Sequence, residues 1–250
     1  NGALSNQNST DSADMYNVAV GADAGAQVTT GVQNTFIGAL SADAITEGTK
    51  NVAVGYGALT VDTKGSKSTA IGHEALRNQN LTSATDVFNV AVGFAAGNGV
   101  TTGLQNTFIG AQAGQANTTA SDNTAVGRAA LPSCTTGAVN VAIGNLALDA
   151  LTTGANNTAI GSNANKITTT GNSNTMIGML ARASANNLTQ EMVMGYNSVG
   201  KGATTAFINP GTGPVFAGNN ATAFSQTSDR RIKKDIIPNN KGLESIKQIE

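Results

Sequence analysis

Asn34-Thr35-Phe36-Ile37-Gly38 decides the reading of this chain, because the block returns as Asn51-Val52-Ala53-Val54-Gly55, Asn106-Thr107-Phe108-Ile109-Gly110 and Asn157-Thr158-Ala159-Ile160-Gly161. Eleven such blocks end in glycine. Gly21, Gly38, Gly55 and Gly72 are 17 residues apart, as are Gly93, Gly110, Gly127, Gly144, Gly161, Gly178 and Gly195, and the one irregular step, Gly72 to Gly93, carries four extra residues. A fixed period of this length is the signature of a stacked repeat, in which each unit is too small to bury its own apolar face. The expected fold is all-β: a parallel β-solenoid, or β-roll, of eleven 17-residue coils over residues 1–195. At about 4.8 Å per turn the stack would be about 50 Å long.

Composition agrees with a narrow interior. Aromatic residues make up 4% of the 250, charged residues 12%, and there is no Trp. A core of large rings is excluded, and Ala, Val, Ile, Gly, Thr and Asn suit thin coils with tight corners. β-branched residues recurring in register separate the chain from a disordered low-complexity segment. A net charge of -1 gives no broad basic surface for nucleic acid. No run of about 18 apolar residues argues for a membrane helix. Cys134 stands alone and His73 is the only histidine, so neither a disulfide nor a cysteine or histidine metal cluster is expected. Cys134 reads as a small corner residue and His73 as a surface corner residue. No cofactor or metal is expected.

Within a block, alternation puts positions two (Thr or Val) and four (Ile or Val) on one face and position three (Ala, Phe or Met) on the other. The larger β-branched pair is read as lining the coil, which places Ile109 inside, and the Ala/Phe/Met row is read as facing outward. A strand apolar on both faces needs cover on both. Identical neighbouring chains in cyclic symmetry are the simplest source, so the coils are expected to pair side by side or intertwine as a homo-oligomer. Glycines at Gly31, Gly48, Gly65, Gly103, Gly137, Gly154 and Gly171 mark a second corner. Ala recurs three residues after the block glycine, where the chain is read as crowded. The aligned Asn side chains are expected to hydrogen-bond from turn to turn. The insertion within 81–88 should bulge one corner.

Other stacked or regular β architectures fit less well. Hexapeptide acyltransferase helices need 18 residues per turn, calcium-binding β-rolls need a Gly-Gly-x-Gly-x-Asp series, and pairs such as Thr101-Thr102 and Thr135-Thr136 read as turn entries rather than an ice-binding array. No paired carboxylates, phosphate loop or catalytic triad emerges from the repeats.

Past Gly195 the period fails. Residues 196–227, with Pro210, Pro214 and Gly211-Thr212-Gly213, are expected to form a hairpin or cap. Residues 228–250 then hold six of the fourteen basic residues and four of the fifteen acids, which marks a change of domain. Leu243, Ile246 and Ile249 are spaced as at the start of an amphipathic helix. Asn1 is not a start Met, and the final segment reads as unfinished, so a piece of a longer protein is expected.

The segment Ser228-Asp229-Arg230-Arg231-Ile232-Lys233-Lys234-Asp235-Ile236 resembles the opening of the intramolecular chaperone autoprocessing domain of endosialidases and phage tail fibres and spikes. Ser228, Asp229, Arg231, Lys233 and Ile236 match the family's motif, which covers about a tenth of the chain. The resemblance implies a homotrimer whose chaperone severs itself before the serine. Ser228 would attack the Thr227 carbonyl to give an ester that water hydrolyses, with Lys233 as general base. A lysine acts so only when neutral, a state that burial favours. Read without the resemblance, Ser228 or Asp229 caps a helix and the basic cluster is a solvated face.

The block body separately resembles the β-roll heads of trimeric autotransporter adhesins, whose repeats are shorter. Together the resemblances imply a homotrimeric phage tail-fibre or tail-spike shaft, located on the virion, with other tail proteins and a bacterial surface receptor engaged elsewhere as partners. The alternative they imply is a bacterial surface adhesin whose head binds host matrix or glycans.

Overall fold

The computed structural model describes residues 2–8, 14–211, 215–217 and 225–226. The amphipathic stretch 241–250 and the residues Thr227, Ser228 and Lys233 lie outside them. The described chain is all-β, without a helix. Its strands are β1 (Val18–Val20), β2 (Thr35–Ile37), β3 (Val52–Val54), β4 (Gly65–Ser66), β5 (Thr69–Ile71), β6 (Thr85–Asp86), β7 (Val90–Val92), β8 (Thr107–Ile109), β9 (Thr124–Val126), β10 (Val141–Ile143), β11 (Thr158–Ile160), β12 (Thr175–Ile177), β13 (Met192–Met194), β14 (Ala206–Ile208), β15 (Val215–Ala217) and β16 (Ser225–Gln226). The block strands form one ladder in chain order, parallel from β1 to β14, and each residue pairs with its counterpart one turn on, as Val18 with Thr35 and Thr158 with Thr175. The molecule is a parallel β-solenoid of eleven turns, most of them 17 residues apart. Beyond the last regular turn, β14 adds one shorter parallel turn, and β15 and β16 continue antiparallel.

The two faces of the block strand are the reverse of the sequence reading. Position three points into the coil: Phe36, Ala53, Ala70, Ala91, Phe108, Ala125, Ala142, Ala159 and Met176 are fully buried. Positions two and four point outward, and Ile109, expected inside, is 40% exposed. The reason is volume. Each turn also sends inward the alanine three residues after the glycine, the residue after that alanine, and the block Asn. The space left opposite position three is filled by complementary sizes. Ala53, Ala70, Ala125 and Ala142 share the core with Leu59, Leu76, Leu131 and Leu148 one corner on, whereas Phe108 takes up the room left by Gly97 and Gly114. A Cβ on Gly97 would lie 2.8 Å from the Phe108 ring, and one on Gly25 would lie 2.7 Å from that of Phe36.

The Asn ladder exists, and its geometry explains why the residue must be Asn. The Asn89 side-chain oxygen accepts from the Asn106 backbone N–H at 2.9 Å, while the amide nitrogen of the same Asn89 donates to the Gly103 carbonyl at 2.8 Å. One side chain thereby satisfies a backbone donor and a backbone acceptor buried from water. The ladder breaks at Ser68, which is too short to reach the next turn. Gln79 closes the gap: its amide nitrogen donates to Asp62 at 2.6 Å and to Ser68 at 3.0 Å, and its oxygen accepts from Asn89 at 2.9 Å. Asp62 also accepts the backbone N–H of Gly65 and of Leu81, each at 3.0 Å. Its buried carboxylate thus pins the turn at which the insertion leaves the coil. The extra residues run outside, where β6 pairs with β4 as a two-residue parallel strip.

The corners hold a feature that the sequence did not announce. Among the described residues, twenty-nine non-glycine residues have positive φ, recurring in phase with the repeat, as Leu146 (55°), Asn163 (55°) and Leu180 (60°) do two residues after successive block glycines. The left-handed region costs an ordinary side chain about 1–2 kcal/mol, and Asn less. Leu146→Asn, which copies the residue one turn on, should therefore raise the melting temperature by about 2–4 °C, corresponding to about 1 kcal/mol. A fall in differential scanning calorimetry would contradict this account of the corner. The second-corner glycines work differently. Gly31 and Gly48 lie outside the left-handed region, but a Cβ on either would fall on a carbonyl oxygen of the next turn.

Candidate functional site

Because position three is internal, the outer face of the ladder carries positions two and four, flanked by the residue before each Asn and the residue after each block glycine. Among the described residues, sixteen large apolar side chains are exposed, and all but Val61 occupy these outward places. Val20, Ile37, Ile71, Ile109, Ile143 and Ile160 form the position-four column. Tyr16, Phe88 and Val139 stand on the Asn side, and Tyr56, Phe94, Met179 and Tyr196 on the glycine side. Alternation in the strand puts them there, since every second residue from the one before the Asn to the one after the glycine turns outward.

His73 belongs to the glycine-side flank and is exposed. Its ring stacks between Tyr56 and Phe94, with centroids 5.2 and 5.4 Å apart, within the range of favourable offset stacking. On the other flank the Lys67 ammonium lies 5.0 Å from the Phe88 ring centre and 2.5 Å from Asp86. The other ion pairs among the described residues, Lys64 with Glu47 and Arg77 with Glu74, sit in the second to fourth turns. The irregular turns are therefore where charge and rings concentrate.

Among the described residues no cluster of three His, Cys, Asp or Glu side chains is placed to hold a metal ion. Corner threonines are engaged in the stack, Thr101 and Thr118 each donating their hydroxyl to the carbonyl of the residue one turn on, at 3.0 and 2.9 Å. Cys134 is fully buried in the core with its sulfur 3.2 Å from the Gly137 carbonyl, and burial pushes its thiol from 9.0 up to about 11. The unfolded chain releases this proton first, so its contribution to stability is intact below pH 9 and is lost as pH rises from about 9 to about 11. Wild type should lose about 2–3 kcal/mol more than Cys134→Ala across that window in urea melts. Equal losses would show that the thiol is not held neutral.

Ser228, Lys233 and the Thr227–Ser228 bond, the sequence-derived catalytic set, fall outside the described residues, so no geometry joins them here. The outward face was missed by sequence reasoning because the faces were assigned by side-chain size. The usable signal was that Phe36 and Phe108 stand at position three where the next corner residue is Ala42 or Gly114, whereas every turn with Leu at that corner has Ala at position three. Comparison with known proteins returns no matching family model, no matching curated protein and no matching solved structure.

Proposed function

We propose that the chain is the structural shaft of a homotrimeric fibre, in which copies associate through the outward Thr/Val and Ile/Val columns. The observation that carries this reading is the confinement of exposed large apolar side chains to one face. Monomeric soluble proteins rarely leave so continuous a strip uncovered. Twelve parallel strands about 4.8 Å apart, each presenting about 20 Å of outward chain, make a face on the order of 1,000 Å². That exceeds the roughly 800 Å² per partner of a stable interface. Three copies, rather than two, follow from the resemblance of the body and of the segment after Thr227 to trimeric fibre proteins.

The shaft's role would be mechanical: to hold a receptor-binding part away from its base and to resist unfolding. The chaperone-like motif favours a phage tail fibre or spike, with Ser228 and Lys233 severing the chaperone after Thr227. A surface adhesin head is the second reading, favoured by the block pattern itself.

Two experiments separate these claims. In sedimentation, wild type should run as a trimer, and Ile71→Asp/Ile109→Asp/Ile143→Asp should run as a folded monomer with an unchanged β-type circular dichroism spectrum. A wild-type monomer would refute the shaft. Intact mass of the full natural chain should reveal two fragments divided between Thr227 and Ser228, and one chain in Ser228→Ala. A single uncut chain in both would favour the adhesin.

A further inference from the structure

We infer that Phe88 of one copy docks on the Tyr56–His73–Phe94 ring ladder of the next copy and thereby holds the copies level along the shaft. This rests on the reading that the outward face joins copies. The columns that make that face repeat with every turn, so sliding one copy by a turn exchanges Ile for Ile or Val and Thr for Thr or Val. They supply adhesion without fixing height. A repeating surface specifies register weakly. A cyclic assembly closes only when the copies are level, since a staggered head-to-tail contact adds a translation along the axis at every step and runs on into open filaments. An aperiodic feature is required.

Rotation about any axis parallel to the shaft brings the Asn-side flank of one copy against the glycine-side flank of the next. Aromatic side chains stand on both flanks of the same turn only at β7, where Phe88 precedes the strand and Phe94 follows it. Phe94 is the end of the stacked ladder, which reaches back over two further turns through His73 to Tyr56. Tyr16, by contrast, shares its turn with Ala22, and Val139 with Asn145. Phe88 lies outside the buried core of its own chain. It is 49% exposed and has a φ of 56°, a backbone region that disfavours a bulky ring. Lys67, itself paired with Asp86, lies over the ring and helps to hold it in place. A ring held outward on one flank and a ring ladder at the same height on the other are complementary parts of a single contact.

The test is photo-crosslinking of Phe88→p-benzoyl-phenylalanine, which keeps an aromatic at the position, in assemblies mixed from ¹⁴N and ¹⁵N chains. Native mass spectrometry of the same samples reports assembly. The expected product is a mixed-isotope crosslink from position 88 to the segment 73–94 or to Tyr56. Crosslinks spread over distant turns, confined to one chain, or absent from an intact oligomer would overturn the docking while leaving the shaft reading in place. A monomeric wild type would overturn both. As a second readout, Phe88→Ala and Phe94→Ala should each convert the single closed mass into a distribution of larger open assemblies. Retention of the single mass, or simple dissociation, would refute the levelling role.

Discussion

Gly110→Ala is expected to abolish the folded solenoid. The glycine ending this block has a φ of 129°, which L side chains rarely adopt, and an added Cβ would lie 2.5 Å from the Gly127 carbonyl oxygen and 2.6 Å from its carbon. Those atoms are backbone in the adjoining turn. They cannot rotate away, and displacing them would break the hydrogen bonds by which Gly110 and Gly127 follow the ladder, 2.8 and 2.7 Å long. Strain of about 1–3 kcal/mol from the dihedral adds to an overlap that only local separation of turns can relieve. Together these should remove most of a typical margin of about 5–15 kcal/mol. The check is soluble yield and β-type circular dichroism beside Lys50→Ala, an exposed corner substitution expected to leave both unchanged. Equal behaviour of the two would discredit the close stacking of successive glycines.

Phe108→Ala should destabilise by about 3–5 kcal/mol, at the upper end of large-to-small core substitutions, because the neighbours that face the hole are Gly97 and Gly114 and have no side chains to fill it. Gly114→Leu should also be damaging, since its side chain would start inside the Phe108 ring. The double substitution is the informative one. It rebuilds in the sixth turn the Ala125 and Leu131 combination of the seventh, and Leu131 already tolerates a φ of 54° close to the 59° of Gly114. Chemical denaturation should show the double variant regaining more than half of what either single variant loses, an interaction energy of about 2–3 kcal/mol. Additive losses would mean that the paired sizes are not what sets the interior.

The same pair of residues shows where reading the sequence stopped. The period, the parallel stack, the hydrogen-bonding role of Asn and the crowding at Ala were legible because each recurs in most turns and has one physical cause. Which face of the block looked inward was not. Ile109 is more apolar and more β-branched than Ala125 or Ala142, so ranking by hydrophobicity places it inside, yet a coil this thin has room for alanine and not for a full row of isoleucine. Left-handed corners were hidden for a related reason. Leu146, Leu148 and Val139 have no preference for positive φ and adopt it because the ladder on either side leaves them no alternative. The proposed roles of Ser228 and Lys233 rest on a motif alone, and motif spacing carries no geometry.

The way the four extra residues are expelled between Gln79 and Phe88 bears on how such a chain changes over time. Adding or removing one whole repeat would lengthen or shorten the rod by about 4.8 Å and leave every remaining turn as it was. The four extra residues are instead pushed outside the coil and tied down by Asp62 and Gln79 in place of one Asn. Length can therefore drift only in whole steps, like the teeth of a rack. Irregular insertions accumulate as surface ornaments, where new contacts can be tried without touching the stacked turns.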